Sequence, residues 1–135
     1  MGDPRVDVAT KLFGAWSSGD PDAPEQYLGA GASLYDIVGG EHRGWPAIRA
    51  FFAAGLEKWP DLVLLPEELW TNERGVALSW VMTATVPDER LGAANVGRAW
   101  RSEGMTHLHF TGSKVTREVD YHDRGAIASS LAAPR

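Results

Sequence analysis

Two stretches near the C-terminal end carry most of the side chains able to move protons. Residues 97–110 set Arg101, Glu103, Met105, His107 and His109 on one side and Leu108 and Phe110 on the other. Residues 113–122 separate Thr116, Glu118, Asp120 and His122 from Val115, Val119 and Tyr121. In extended backbone successive side chains point to opposite faces, so each stretch has one face rich in acids and imidazoles. A carboxylate beside an imidazole fixes its tautomer and raises its basicity, which suits proton abstraction next to a carbonyl. Asp36, just ahead of Gly39-Gly40, is a further candidate. At the end of a strand under aromatic cover its carboxyl would titrate near working pH and shuttle a proton. An Asx-turn residue would also stand there. His107-x-His109, with Glu103, Asp120 or His122, has metal-ligand types on one face. Such pairs are common without metal, and no metal or cofactor is expected.

The six tryptophans in 135 residues point to a large apolar space. Trp16, on the apolar side of the first helix, and Trp59 are read as lid or wall residues. Trp80 alternates with Leu78 and Met82 and would form a floor. Tyr27 and Tyr35 would donate phenol hydrogen bonds to a substrate oxygen, while Tyr121 is expected to pack outward.

The elements that must position these groups follow from periodicity. Asp3-Pro4 reads as an N-cap followed by proline at the first helical position. Val6, Ala9, Leu12, Phe13 and Trp16 then recur at helical spacing. A short helix is expected over 22–28, a strand over 32–38 and a turn at Gly39-Gly40. Pro46 opens another helix, with Ile48, Phe51, Phe52 and Leu56 on its apolar side. Strands are expected over 62–71, 75–86, 97–110 and 113–122, a longer mobile loop over 87–95, and a terminal helix over 126–131. Helices first and then a run of antiparallel strands define a single α+β domain spanning 1–135.

Composition excludes several function classes. With no cysteine, disulfides, thiolate metal sites and cysteine nucleophiles are absent. A formal net charge of −5 disfavours a nucleic-acid partner. No apolar run approaches the roughly 18 residues of a membrane span. The opening MGDPRVDV lacks a signal-peptide pattern, so a cytoplasmic protein without membrane partners is expected.

Trp16-Ser-Ser-Gly-Asp20, Tyr35-Asp36-Ile37-Val38-Gly39, Trp59-Pro60-Asp61-Leu62, Gly112-Ser-Lys114-Val115 and Asp120-Tyr121-His122-Asp123 occur in an order that resembles the NTF2-like superfamily. In particular it resembles the SnoaL-like polyketide cyclase, limonene epoxide hydrolase and ketosteroid isomerase branch, from Trp16 to Leu131. The resemblance implies N-terminal helices packed on a strongly curved, mainly antiparallel sheet that forms a cone around a pocket. It also implies a homodimer formed through the outer sheet face.

Three activities follow from the resemblance. SnoaL-like cyclases use a histidine on the penultimate strand and an aspartate on the last, which match His107 and Asp120, with His109 as an alternative imidazole. Asp36 resembles the general base of ketosteroid isomerases. The oxyanion-hole tyrosine of those enzymes, however, falls at Leu12, and their second donor falls near Thr106 or His107. Asp120 also matches a catalytic position of limonene epoxide hydrolases, whose Arg-x-Asp is replaced here by the uncharged Leu78–Thr83 segment. The expectation is a cofactor-independent acid/base enzyme performing cyclisation, isomerisation or dehydration on a hydrophobic polyketide- or terpenoid-like molecule. Asp36, His107 and Asp120 would be catalytic, and Trp16, Tyr35, Trp59, Trp80, His109 and His122 would bind substrate. A non-catalytic binding or dimerisation module is the alternative.

Overall fold

Asp3 accepts a hydrogen bond from the backbone N–H of Arg5 at 2.9 Å, and Pro4 fills a position that needs no donor. Together they start helix α1 (Pro4–Trp16), whose buried side is Ala9, Leu12, Phe13, Ala15 and Trp16. The computed structural model describes residues 2–132. After α1 come a 3₁₀ turn (Ala23–Tyr27), β1 (Leu28–Asp36), β2 (Gly40–Arg43), α2 (Trp45–Lys58), β3 (Val63–Asn72), β4 (Gly75–Thr85), β5 (Ala99–Thr111), β6 (Lys114–His122) and α3 (Ala126–Ala132). The six strands form one sheet in the order β2-β1-β6-β5-β4-β3. Every pair is antiparallel except β1 with β6.

Most elements lie where periodicity puts them, and the differences have local causes. The expected helix over 22–28 is a 3₁₀ turn, because five residues with a proline near the start cannot close a stable α-helix. Strand β1 begins at Leu28, ahead of the expected residue 32, through a stretch of Gly29, Ala30 and Gly31 that lacks hydrophobic alternation. There a side chain at Gly29 would press on Thr116 at 3.2 Å, so the glycine lets β1 lie close to β6. The short edge strand β2 carries no strong sequence signal. Residues 87–95 are less free than expected. Asp88 caps a 3₁₀ turn, and Arg90 donates to the Lys58 carbonyl at 2.9 Å while lying 5.5 Å from the Trp59 ring centroid.

Alternation divides the sheet. Val76, Leu78 and Trp80 of β4, with Leu108 of β5 and Val115 of β6, join Leu12, Phe13, Trp16, Ile48 and Phe52 of the helices in the main core. A second cluster gathers Trp59, Ala84, Val86, Trp100 and Leu131 beneath α3. Ser17 ties the end of α1 to the sheet, its hydroxyl oxygen accepting from the Leu64 N–H at 2.9 Å.

The β5–β6 hairpin decides which titratable groups face these helices. Its turn pairs Thr111 with Lys114 and Phe110 with Val115, but farther along His109 pairs with Arg117 and Thr106 with Asp120. Thr116 is thus an extra residue in β6, a β-bulge, and it shifts the register by one. Directly paired residues point to the same side, so Asp120 shares a face with Thr106 and not with His107, whose partner is Val119. The polar side of β6 (Glu118, Asp120, His122) turns toward the helices. The polar side of β5 (Glu103, His107, His109) turns away from them. The bulge also splits a trio expected on one face: Val115 enters the core, while Val119 and Tyr121 turn outward.

Gly104, opposite Trp80 in the β4–β5 ladder, is the space that the indole of Trp80 crosses. A Cβ at Gly104 would overlap that ring and sit 2.6 Å from the Tyr121 carbonyl oxygen. Gly104→Ala is expected to destabilise the fold by about 1–3 kcal/mol through overpacking. Urea unfolding followed by tryptophan fluorescence measures it, and an unchanged midpoint would show that the ring has room to move.

Candidate active site

Between the inner sheet face and the helices lies a cavity of about 440 Å3. Its walls are largely apolar: Phe13 and Trp16 from α1, Phe51 and Phe52 from α2, Leu64 from β3, Trp80 and Met82 from β4, and Ile127 from α3. Trp59 closes one side, edge-to-face with Trp100 at 5.1 Å between centroids. Seven titratable side chains line this space: Asp36, Glu118, Asp120 and His122 form one group on β1 and β6, and Lys58, Asp123 and Arg124 also border it.

Glu118 and Asp120 lie two residues apart on β6 and therefore on one face. Glu118 is buried, and its Oε1 accepts the indole N–H of Trp16 at 3.0 Å. Burial, with the charge of Asp120 beside it, pushes its carboxyl well above the usual carboxylate range. It is therefore the protonated member, and its proton is directed to Asp120. Asp120 opens to the cavity and is pushed up to about 6, chiefly by burial. Hydrogen bonds from Glu118 and from the Thr106 hydroxyl oppose that rise. The Thr106 hydroxyl donates to Asp120 Oδ1 at 2.6 Å and in turn accepts the Trp80 indole N–H at 2.9 Å. The chain Trp80–Thr106–Asp120 therefore orients one carboxylate oxygen and satisfies a buried indole.

Asp36 and His122 form the second half. Asp36 ends β1 opposite Asp120 in the parallel ladder. His122 Nε2 lies 2.9 Å from its Oδ2 and 3.1 Å from its Oδ1. Oδ1 also accepts the backbone N–H groups of Val38 and Gly39, both at 2.8 Å. Burial alone would raise the Asp36 carboxyl, but the His122 and backbone hydrogen bonds together hold it below the usual range. The same contact with Asp36 raises the imidazole of His122, against the effect of burial. The result is a carboxylate bracing an imidazole that holds its proton more tightly than usual, beside a carboxyl raised to about 6. The His122 ring lies 5.9 Å from that of Trp80.

Six of the nine residues singled out from the sequence meet at this cavity: Trp16, Asp36, Trp59, Trp80, Asp120 and His122. Tyr35, His107 and His109 do not. Tyr35 sits opposite Val119 on β6 and so faces outward. His107 and His109 are hydrogen-bonded to each other at 3.0 Å on the outer face, in a separate hollow near Trp70 and Arg74. The expected His107–Asp120 pair is corrected to two other contacts, Thr106–Asp120 and His122–Asp36. The bulge at Thr116 is the reason. Among the described residues no three His, Asp or Glu side chains gather as a metal cage.

Two participants are named in the sequence reading but not chosen there as site residues, Glu118 and Thr106. Glu118 was legible as the i−2 neighbour of Asp120, but nothing in the chain marks its carboxyl as buried. Thr106 becomes a partner only through the register. Asp36 also changes character, because its lowered pKa and three donors make it a holder of His122 and a weak base.

Helices packed over one face of a six-stranded, mostly antiparallel open sheet, with an acid-lined cavity between them, are the arrangement of the NTF2-like class. Residues 9–118 match the SnoaL-like domain model, and the chain belongs to that family. A search of curated proteins finds no relative. Among solved structures the chain is similar to a proposed polyketide cyclase from Acidithiobacillus ferrooxidans, with TM-score 0.84 and 19% identity over 97% of this chain and 96% of that one. It is similar to IdmH, a proposed polyketide cyclase from Streptomyces antibioticus, with TM-score 0.84 and 15% identity over 96% and 99% of the two chains. AclR, a proposed hydroxylase from Streptomyces galilaeus, gives TM-score 0.77 and 22% identity over 96% and 97%. At these identities the likeness is one of fold. Among the described residues no helix is long and apolar enough to cross a membrane.

The raised pKa of Asp120 has a consequence for stability. Its folded value of about 6 exceeds the ordinary 3.8, so the unfolded chain releases this proton first as pH rises. The fold therefore loses stability between about pH 4 and the folded value, as a buried carboxyl is forced to ionise. Asp120→Asn is expected to gain melting temperature relative to the parent as pH is raised from about 4 to about 8. A difference independent of pH would show that Asp120 is not strained by burial.

Proposed function

We propose that the protein is a cofactor-independent acid/base enzyme acting on a hydrophobic carbonyl compound of the polyketide or terpenoid type. One observation carries this reading: a half-buried carboxylate and an imidazole held by a second carboxylate face one largely apolar cavity, each fixed by its own hydrogen bonds. Asp120 is the base. It takes a proton from the carbon next to a substrate carbonyl, and the electron pair moves onto the carbonyl oxygen. His122, protonated and braced by Asp36, donates to that oxygen and stabilises the enolate. Return of the proton to a different carbon gives isomerisation, and attack of the enolate on a second carbonyl gives aldol-type cyclisation. Glu118, kept neutral by burial, and Thr106 set the basicity of Asp120 through their hydrogen bonds. The apolar walls keep water from competing for the carbanion.

The family and its structural neighbours support this reading. Two of those neighbours are described as polyketide cyclases, and another, TerC, was solved with polyporic acid. The cavity volume lies within the range of small-molecule sites.

Activity should follow a bell-shaped pH profile. Its acid limb reports Asp120 near pH 6, and its alkaline limb reports His122 above its ordinary 6.5. With aromatic β-ketoesters in D2O, hydrogen exchange at the acidic carbon followed by mass analysis is a direct readout. Asp120→Asn and His122→Ala should each slow exchange at least about 100-fold, whereas His107→Ala should leave it within about twofold. Near-normal exchange in both cavity variants would leave a binding module.

We further propose that a second copy of the chain covers the outer sheet face, where Leu65, Trp70, Met105 and Tyr121 are exposed together. Light scattering during gel filtration should give a dimer, and Met105→Glu should shift it to monomer. A monomeric parent protein would sink this part of the reading.

A further inference from the structure

Strand β5 presents Trp100, Ser102, Gly104, Thr106 and Leu108 to the helices in alternation. The polar atoms of Trp16, Trp80 and Thr106 all have partners within the protein. Those of Trp100 and Ser102 do not. Trp100 Nε1 and Ser102 Oγ are the two buried side-chain polar atoms, among the described residues, without a hydrogen-bond partner. Both residues are almost wholly buried, at 1% and 2% exposure, and both line the cavity that holds Asp120 and His122.

A buried polar group without a partner costs about 1–3 kcal/mol, and folded proteins carry few of them. Two on one face of one strand, both in residues that line one cavity, call for a partner. Each atom is closed to solvent, so a partner entering the cavity meets them once the Ser102 hydroxyl turns and the Trp100 ring shifts. An indole N–H can only donate, and a serine hydroxyl donates freely when nothing else engages it. The group that satisfies both is therefore an acceptor, a carbonyl or carboxylate oxygen.

The register fixes where this acceptor would sit. Gly104 is the ladder partner of His122, and Thr106 is that of Asp120. At about 3.3 Å per residue, Ser102 lies about 7 Å beyond the level of His122 and about 13 Å beyond that of Asp120. We propose that Trp100 and Ser102 form an acceptor-binding subsite that holds a second oxygen of the substrate, at the end of the molecule remote from the acid/base groups. This rests on the cavity being the substrate site. It narrows the substrate class to flat hydrophobic molecules with oxygens at both ends. Beside Ser102, its ladder partner Met82 and the Trp59–Trp100 pair supply apolar surface for rings.

Two probes separate the ends. 2-Naphthol has one oxygen, and 6-acetyl-2-naphthol adds a carbonyl across the ring system. Calorimetric titration of the full chain should show the acetyl compound binding at least about tenfold tighter than 2-naphthol, a difference of about 1.4 kcal/mol. Ser102→Ala should remove most of that preference while leaving 2-naphthol affinity within about twofold, whereas Trp100→Phe should remove most of it and weaken both probes, because its ring also lines the site. Ser102→Ala removes one oxygen atom and keeps the test open if Trp100→Phe, in the second core cluster, unfolds. Binding of both probes with equal affinity, or a preference that survives Ser102→Ala, would overturn the subsite and leave the cavity reading intact. Failure of both probes to bind would overturn the cavity reading and the subsite with it.

Discussion

One unpaired residue governs the chemistry of this protein. Thr116 bulges out of β6 between the hairpin turn and the rest of the β5–β6 ladder. Because side chains alternate with a period of two, a one-residue shift exchanges the entire inner and outer sets of the strand. Without it His107 and Asp120 would share a face. With it Asp120 meets Thr106, and Glu118 and His122 join it inside. The imidazole pair His107–His109 is left on the far side of the sheet.

The rest of the site follows from what that register brings indoors. Two carboxyl groups, two residues apart and out of water, cannot both ionise cheaply. Trp16 and Thr106 supply the donors that make their burial tolerable, and Trp80 supplies the donor for Thr106. The tryptophans thus serve two purposes. Their rings make the cavity apolar, which raises the carboxyl pKa values, and two of their N–H groups pin the polar chain that remains. Gly104 belongs to the same arrangement, since the Trp80 ring reaches Thr106 across the space where a side chain would stand.

Asp36 shows how environment separates two aspartates that sit opposite each other in the sheet. It ends a strand at a turn, where two backbone N–H groups and an imidazole converge on it, so it stays ionised and orients His122. Asp120 has no backbone donors and a neutral acid for a neighbour, so its carboxyl titrates near 6. The same residue type therefore plays an anchoring part in one place and a proton-accepting part in the other.

Much of this was legible in the chain alone. Helix α1 from its Asp3-Pro4 cap, the four long strands from their alternation, the α+β class and six of the cavity residues follow from local pattern and motif order, because caps and periodicity are short-range properties of the backbone. The partner of Asp120 was not legible. It depends on a bulge that leaves no residue-type signature at Thr116, and on a pairing between strands that only long-range packing decides. Burial of Glu118 and the two unpartnered donors on β5 are likewise properties of the closed cavity. Sequence by itself determined which side chains could do acid/base chemistry and on which strands they lie; tertiary structure alone decided which of them face one another, because register is set by how the whole sheet buries its apolar face.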